Sequence, residues 1–181
     1  MLENRLEFRI LGPLVVRVDG AVVPVGGPKQ RALLAMLLLS ANRVVSRERL
    51  IGELFAEQSL NSADHALRNH VSRLRKVLAS AAADEPRLVA RAPGYLLRVE
   101  PGELDLEQFD RLLAAGRESL AAAEPAAAAE SLHAAEALWD GRPLPIWSSS
   151  PLHRSTWSDS RNCGWQRSKG GSRRTSRLAD I

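Results

Sequence analysis

Between His65 and Lys76 the chain places His65, Arg68, Asn69, Ser72, Arg75 and Lys76 at positions i, i+3, i+4, i+7, i+10 and i+11. At that spacing side chains share one face of an α-helix. Histidine, arginine, asparagine and serine can meet base edges and phosphates together, so an exposed face of this composition suits the major groove of DNA. Arg91, beside the turn pair Pro93-Gly94, adds a cation that can enter a neighbouring minor groove. An isolated basic helix is more often an ordinary solvated face. Here the order of elements, strands, two helices, the basic helix and then a basic hairpin, favours DNA contact.

Other chemistries find little footing. Four histidines, His65, His70, His133 and His153, show no metal-ligand spacing with the single Cys163, and no serine sits in a nucleophile elbow. Asp64 and His65 project about 100° apart on a helix and form no dyad. Gly26-Gly27-Pro28-Lys29 lacks the spacing of a phosphate-binding loop, and Pro28 removes an amide such a loop uses. No enzyme activity, cofactor or metal is expected. A lone cysteine and no secretory leader imply a cytoplasmic protein, and the apolar run Ala32 to Leu39 is far short of the roughly 20 residues that cross a bilayer.

The net charge of +4 is a weak guide to partners. Residues 1–144 hold 18 Lys and Arg against 19 Asp and Glu, whereas residues 145–181 hold 7 against 2. The excess therefore belongs to the tail. Local charge says more: from Ala63 to Val99, Arg68, Arg73, Arg75, Lys76, Arg87, Arg91 and Arg98 face only Asp64, Asp84 and Glu85.

Elements able to position these groups follow from periodicity. Phe8, Ile10, Leu14, Val16 and Val18 alternate with polar or small residues, and Gly12-Pro13 and Asp19-Gly20 supply turns, which predicts a small antiparallel sheet over Leu6 to Val25. Pro28 suits the first turn of a helix over Lys29 to Ala41. Val44-Val45 reads as a short apolar link to Ser46, the N-cap of a second helix through Phe55. A third helix, capped by Asn61 or Ser62 and reaching about Ala79, carries Ala63, Leu67, Val71, Leu74 and Leu78 on one stripe. Its opposite face is thereby left for His65, Arg68, Asn69, Ser72, Arg75 and Lys76. Leu88 to Ala92 and Tyr95 to Val99 form a hairpin with Arg91 near its tip. Beyond Pro101-Gly102 a helix with Leu104, Phe109, Leu112 and Leu113, and another from about Pro125 to Trp139, make one unit of a helical repeat.

Four segments, G-G-P-K-Q-R-A-L-L-A-M-L-L-L (26 to 39), V-V-S-R-E-R-L-I (44 to 51), N-H-V-S-R-L-R-K-V-L (69 to 78) and P-G-Y-L-L-R-V (93 to 99), together resemble the winged-helix domain of the Streptomyces antibiotic regulatory protein family. L-D-L-E-Q-F-D-R-L-L (104 to 113) and E-A-L-W-D-G-R-P-L (136 to 144) resemble the start of the bacterial transcriptional activator domain that follows it there. The resemblance implies an α+β chain: an OmpR-type winged helix-turn-helix over 5–100, then an incomplete all-α, TPR-like repeat domain over 104–144. Phe55 stands where the family usually has tryptophan.

It further implies that His65, Arg68, Asn69 and Ser72 face bases, that His70, Arg73, Arg75 and Lys76 hold phosphates, and that Arg91 is the wing residue. Double-stranded DNA carrying direct repeats, RNA polymerase and a second copy of the chain are the implied partners, with no membrane. The function implied is a sequence-specific transcriptional regulator, an activator of secondary-metabolite genes. A helical-repeat interaction module without specific DNA binding is the rival reading.

The tail from 145 to 181 departs from the family pattern. It is rich in Ser, Arg and Gly, contains Trp147, Trp157 and Trp165, and has no helical or strand period. With GC-rich codons for Trp157 to Ile181, a frame shifted by one base can read V-V-R-L-A-E-L-R-V-A-A-L-E-G-R-V-E-A-D-L-A-L-G-R-H, a strongly helical sequence. The tail from about Pro145 is expected to be a frameshift product that has replaced further repeat helices.

Overall fold

The computed structural model describes residues 6–79 and 86–140. The tail after Leu144, with the frame change expected there, lies outside the described residues.

Three strands, β1 (Leu6–Arg9), β2 (Val15–Val18) and β3 (Ala21–Val23), form an antiparallel meander. Alternation puts Phe8 directly opposite Val16, and both are fully buried. Asp19 and Gly20 turn the chain with φ of 52° and 80°, the left-handed pair that a two-residue hairpin turn uses. The expected sheet is therefore present.

Helix α1 (Pro28–Leu38) starts with Pro28 in its first turn, and Gly27 O accepts from the N–H groups of Gln30 and Arg31. Leu33, Leu34, Leu37 and Leu38 are all fully buried, because α2, α3 and a strand of the second sheet pack around this helix. Each such leucine contributes about 1.5 to 3 kcal/mol of burial. The helix ends earlier than Ala41, where its periodicity pointed. Ser40 N and Ala41 N turn back to Leu37 O and Leu38 O, and Asn42 adopts φ 61°.

Val44-Val45 is more than a link. It belongs to β4 (Val44–Ser46), which pairs with the second arm of the hairpin, so the second sheet runs β4-β6-β5 with β5 (Leu88–Arg91) and β6 (Gly94–Leu97). Gly94 lies against β4 so closely that a Cβ there would sit 1.8 Å from Val45 O. Asn42 fastens the same corner: its Nδ2 donates to Val99 O at 2.8 Å, and its Oδ1 accepts from Val99 N at 3.0 Å.

Ser46 caps α2 (Arg47–Phe55), its Oγ accepting from Arg49 N at 3.2 Å. Helix α3 (Leu60–Ala79) buries Ala63, Leu67, Val71, Leu74 and Leu78, the stripe its periodicity predicts.

Helices α4 (Asp105–Ala121) and α5 (Pro125–Ala137) form the antiparallel pair. Gly116 lets α5 approach, since a Cβ there would meet the Leu132 side chain at 2.9 Å, and Phe109 meets Trp139 edge to face at 5.9 Å. The pair grows directly from the first sheet. Phe8 N donates to Glu103 O, Ile10 N and Leu11 N donate to the Asp105 carboxylate at 2.9 to 3.0 Å, and Asp140 N donates to Leu11 O. Burial pushes the Asp105 carboxyl above its ordinary range, and the amides of Leu11 and Ile10 oppose that rise. Among the described residues no helix is long and apolar enough to cross a membrane.

Candidate nucleic-acid interface

The buried stripe of α3 turns the other side of the helix outward. At about 100° per residue, His65, Asn69, Ser72 and Lys76 fall within about 60° of one another, with Arg68 and Arg73 about 40° beyond either edge. All six are exposed. Five of them, His65, Arg68, Asn69, Ser72 and Lys76, belong to the face that the helical period marks out; Arg73 joins them, while Arg75, also expected there, lies beyond Arg68 on the flank.

The flanks of that face hold residues with tasks inside the protein. On one flank Arg75 is exposed, yet its Nε donates to Leu88 O at 2.9 Å and ties α3 to the first strand of the hairpin. On the other, His70 is half-buried with its ring stacked on Phe55 at 5.8 Å, and Lys29 lies over the Phe55 ring at 4.7 Å. Burial lowers the His70 pKa, with Arg73 and Lys29 adding to the effect. A neutral, packed imidazole is a poor phosphate clamp. The structure thus sets His70 apart from the exposed row.

Arg91 is exposed at the end of β5, paired across the hairpin with Gly94. The turn beyond it reaches the start of α2, where Arg47 N donates to Pro93 O at 3.2 Å. Arg87, counted above with the basic segment, is committed elsewhere. Its guanidinium pairs with Glu103 at 2.8 Å and Glu100 at 3.2 Å, and the Glu103 carboxyl is raised by burial against the opposing pull of Arg87.

Two residues that sequence reasoning missed complete the surface. Arg47 reaches Asp64, which also accepts from Arg68 one turn along α3 at 2.5 Å. Asp64 and Arg68 stand at i and i+4, a spacing that signals such a pair. Arg47 is 17 residues from Asp64, and no local pattern reveals it.

A three-helix core with a β-hairpin packed behind an exposed basic third helix defines a winged helix-turn-helix. The family model for the C-terminal domain of transcriptional regulatory proteins matches residues 24–97, and that for the bacterial transcriptional activator domain matches residues 104–162, past Leu144. The chain belongs to the Streptomyces antibiotic regulatory protein family of transcriptional regulators.

Among its relatives, the transcriptional regulatory protein EmbR of Mycobacterium tuberculosis is 43% identical over 123 residues, 67% of this chain and 31% of EmbR. The regulatory protein AfsR of Streptomyces coelicolor is 39% identical over 140 residues, 77% of this chain and 14% of AfsR. The aligned stretch is thus less than a third of the length of either relative. The solved structure of M. tuberculosis EmbR in complex with a low-affinity phosphopeptide superposes with a TM-score of 0.74 at 37% identity, covering 88% of this chain and 42% of that one.

Proposed function

We propose that this chain is a sequence-specific DNA-binding regulator that docks α3 in the major groove and the β5–β6 hairpin beside it. The observation that carries the reading is the open row of His65, Asn69, Ser72 and Lys76, bordered by Arg68 and Arg73 and backed by a fully buried stripe. In this docking His65, Arg68, Asn69 and Ser72 meet base edges, Arg73 and Lys76 hold phosphates, and Arg91 enters the minor groove. Arg75 sets the angle between helix and wing. His70 supports α3 from behind.

Binding occurs at direct repeats in promoters, with two copies side by side, and the helices from Asp105 onward present a surface to RNA polymerase. The genes controlled belong to secondary metabolism, as the family membership supports. The gene, read one base out of register over Trp157 to Ile181, encodes further repeat helices, and restoring that frame strengthens activation in a promoter-reporter assay.

Gel-shift titration against promoter fragments at several salt concentrations tests the DNA contact. Lys76→Ala is expected to weaken binding to all sequences alike and to reduce the salt slope by about 1. Asn69→Ala is expected to cost about 1 to 3 kcal/mol on the best fragment and less on others. Unchanged binding in both variants and in Arg91→Ala rules out this docking.

A further inference from the structure

Asp64 sits on the edge of the outward face of α3, one turn before Arg68. Its carboxylate, with 22% of the side chain exposed, receives Arg68 on one oxygen and Arg47 on the other. The two guanidinium groups remain much more open, at 63% for Arg68 and 43% for Arg47. Arg68 is thus drawn back along the helix, away from the row of Asn69, Ser72 and Lys76. Arg47 is held between α3 and the hairpin turn, where its own N–H meets Pro93 O.

We infer that Asp64 is a selectivity residue that withholds Arg47 and Arg68 from indiscriminate phosphate pairing; the inference rests on the DNA-binding reading above. Either arginine gains a phosphate only by giving up a charged partner, so a contact on arbitrary sequence returns little. A guanine edge offers Arg68 two aligned acceptors, O6 and N7, and there the exchange is favourable. One acidic residue inside a basic face therefore lowers affinity for DNA in general and sharpens the response to the correct site. An ion pair with a purely structural role would alter stability and leave the salt dependence of binding unmoved.

Asp64→Asn keeps the shape and removes the charge. Its binding to a random-sequence duplex is measured beside the parent across a fourfold range of salt, with thermal melts to show that it is folded. Each added phosphate contact steepens the slope of log K against log salt by about 0.9, or about 3.5-fold in affinity over that range. The expected result is tighter binding at low salt, by about 3-fold to 10-fold, with a slope steeper by about 1 to 2.

Asp64→Glu, which retains the charge, should stay close to the parent. Adding Arg47→Ala and Arg68→Ala to Asp64→Asn should abolish the gain. A folded Asp64→Asn whose affinity and slope match the parent, or whose binding is weaker, overturns the inference while DNA binding stands. A parent chain that binds no duplex at all overturns the DNA-binding reading, and this inference with it. Should Asp64→Asn not fold, Asp64→Ala supplies the same comparison.

Discussion

Gly94→Ala is the substitution that most directly tests how the hairpin is held. The added Cβ would lie 1.8 Å from Val45 O, 2.7 Å from Val45 C and 2.8 Å from the Ser46 Cα, where ordinary contact begins at 3.4 Å. These neighbours are backbone and cannot swing aside, so β4 and β6 must part by about 1.5 Å, enough to carry a hydrogen bond of normal length past its useful range. The pairs Val45↔Tyr95 and Ser46↔Gly94 then open, and the bond from Arg47 N to Pro93 O goes with them. Two or three lost bonds at about 0.5 to 1.5 kcal/mol each, plus partial exposure of Val45 and Tyr95, give about 2 to 4 kcal/mol.

For a unit of this size that lowers Tm by about 6 to 20 °C. Thermal melting followed by circular dichroism measures it, and gel-shift on the same preparation should show weaker DNA binding. Gly52→Ala is the internal comparison: nothing lies within 4 Å of a Cβ there, and in mid-helix α2 the change should stabilise by about 0.5 to 1 kcal/mol. A Gly94→Ala protein that melts with the parent would falsify the account of the wing.

Ser46→Ala removes the acceptor for Arg49 N and should cost about 1 kcal/mol by urea denaturation. Asp105→Ala leaves Ile10 N and Leu11 N without their carboxylate; a loss of about 2 to 5 kcal/mol is expected from two orphaned amides, and a loss no larger than that of Ser46→Ala would show that this joint is not needed. The His70 pKa is lowered on folding, so the unfolded chain binds the proton more readily. Its stabilising contribution is present above the ordinary value near 6.5 and fades as pH falls through that value toward the lower, folded one. Urea midpoints at several pH values should show this acid loss shrinking in His70→Phe. Arg75→Lys retains the charge but not the planar bond to Leu88 O; DNA affinity nearer to Arg75→Ala than to the parent would mark Arg75 as a positioning residue for the wing.

The α3 face was legible because Ala63, Leu67, Val71, Leu74 and Leu78 fix its rotation through a period the sequence displays, and the same holds for the Asp19-Gly20 hairpin and the Ser46 cap. Three residues were too few for β4 to show a period, and its partner β6 lies some fifty positions away. Helix α1 announced its beginning with Pro28 but not its end, which is set by the left-handed Asn42 and its bonds to Val99. Within the site, helical period placed the exposed Arg75 on the open face, the family resemblance gave His70 a phosphate, and local charge counted Arg87 with the basic segment. Their bonds to Leu88, Glu103 and Phe55 depend on tertiary neighbours, as does the Arg47–Asp64 pair.

The seam between the first sheet and the helical pair bears on how such chains can be cut and recombined. A fragment ending at Glu100 would contain the whole proposed DNA-facing surface, yet Phe8, Ile10 and Leu11 would lose the acceptors at Glu103 and Asp105, and the edge of β1 would lie bare. Bare strand edges invite pairing with other chains. Shuffling this winged-helix unit onto a different second domain therefore requires carrying the Glu103-to-Asp105 stretch along with it. The first strands serve both halves of the chain, and a crossover point between them would leave neither half whole.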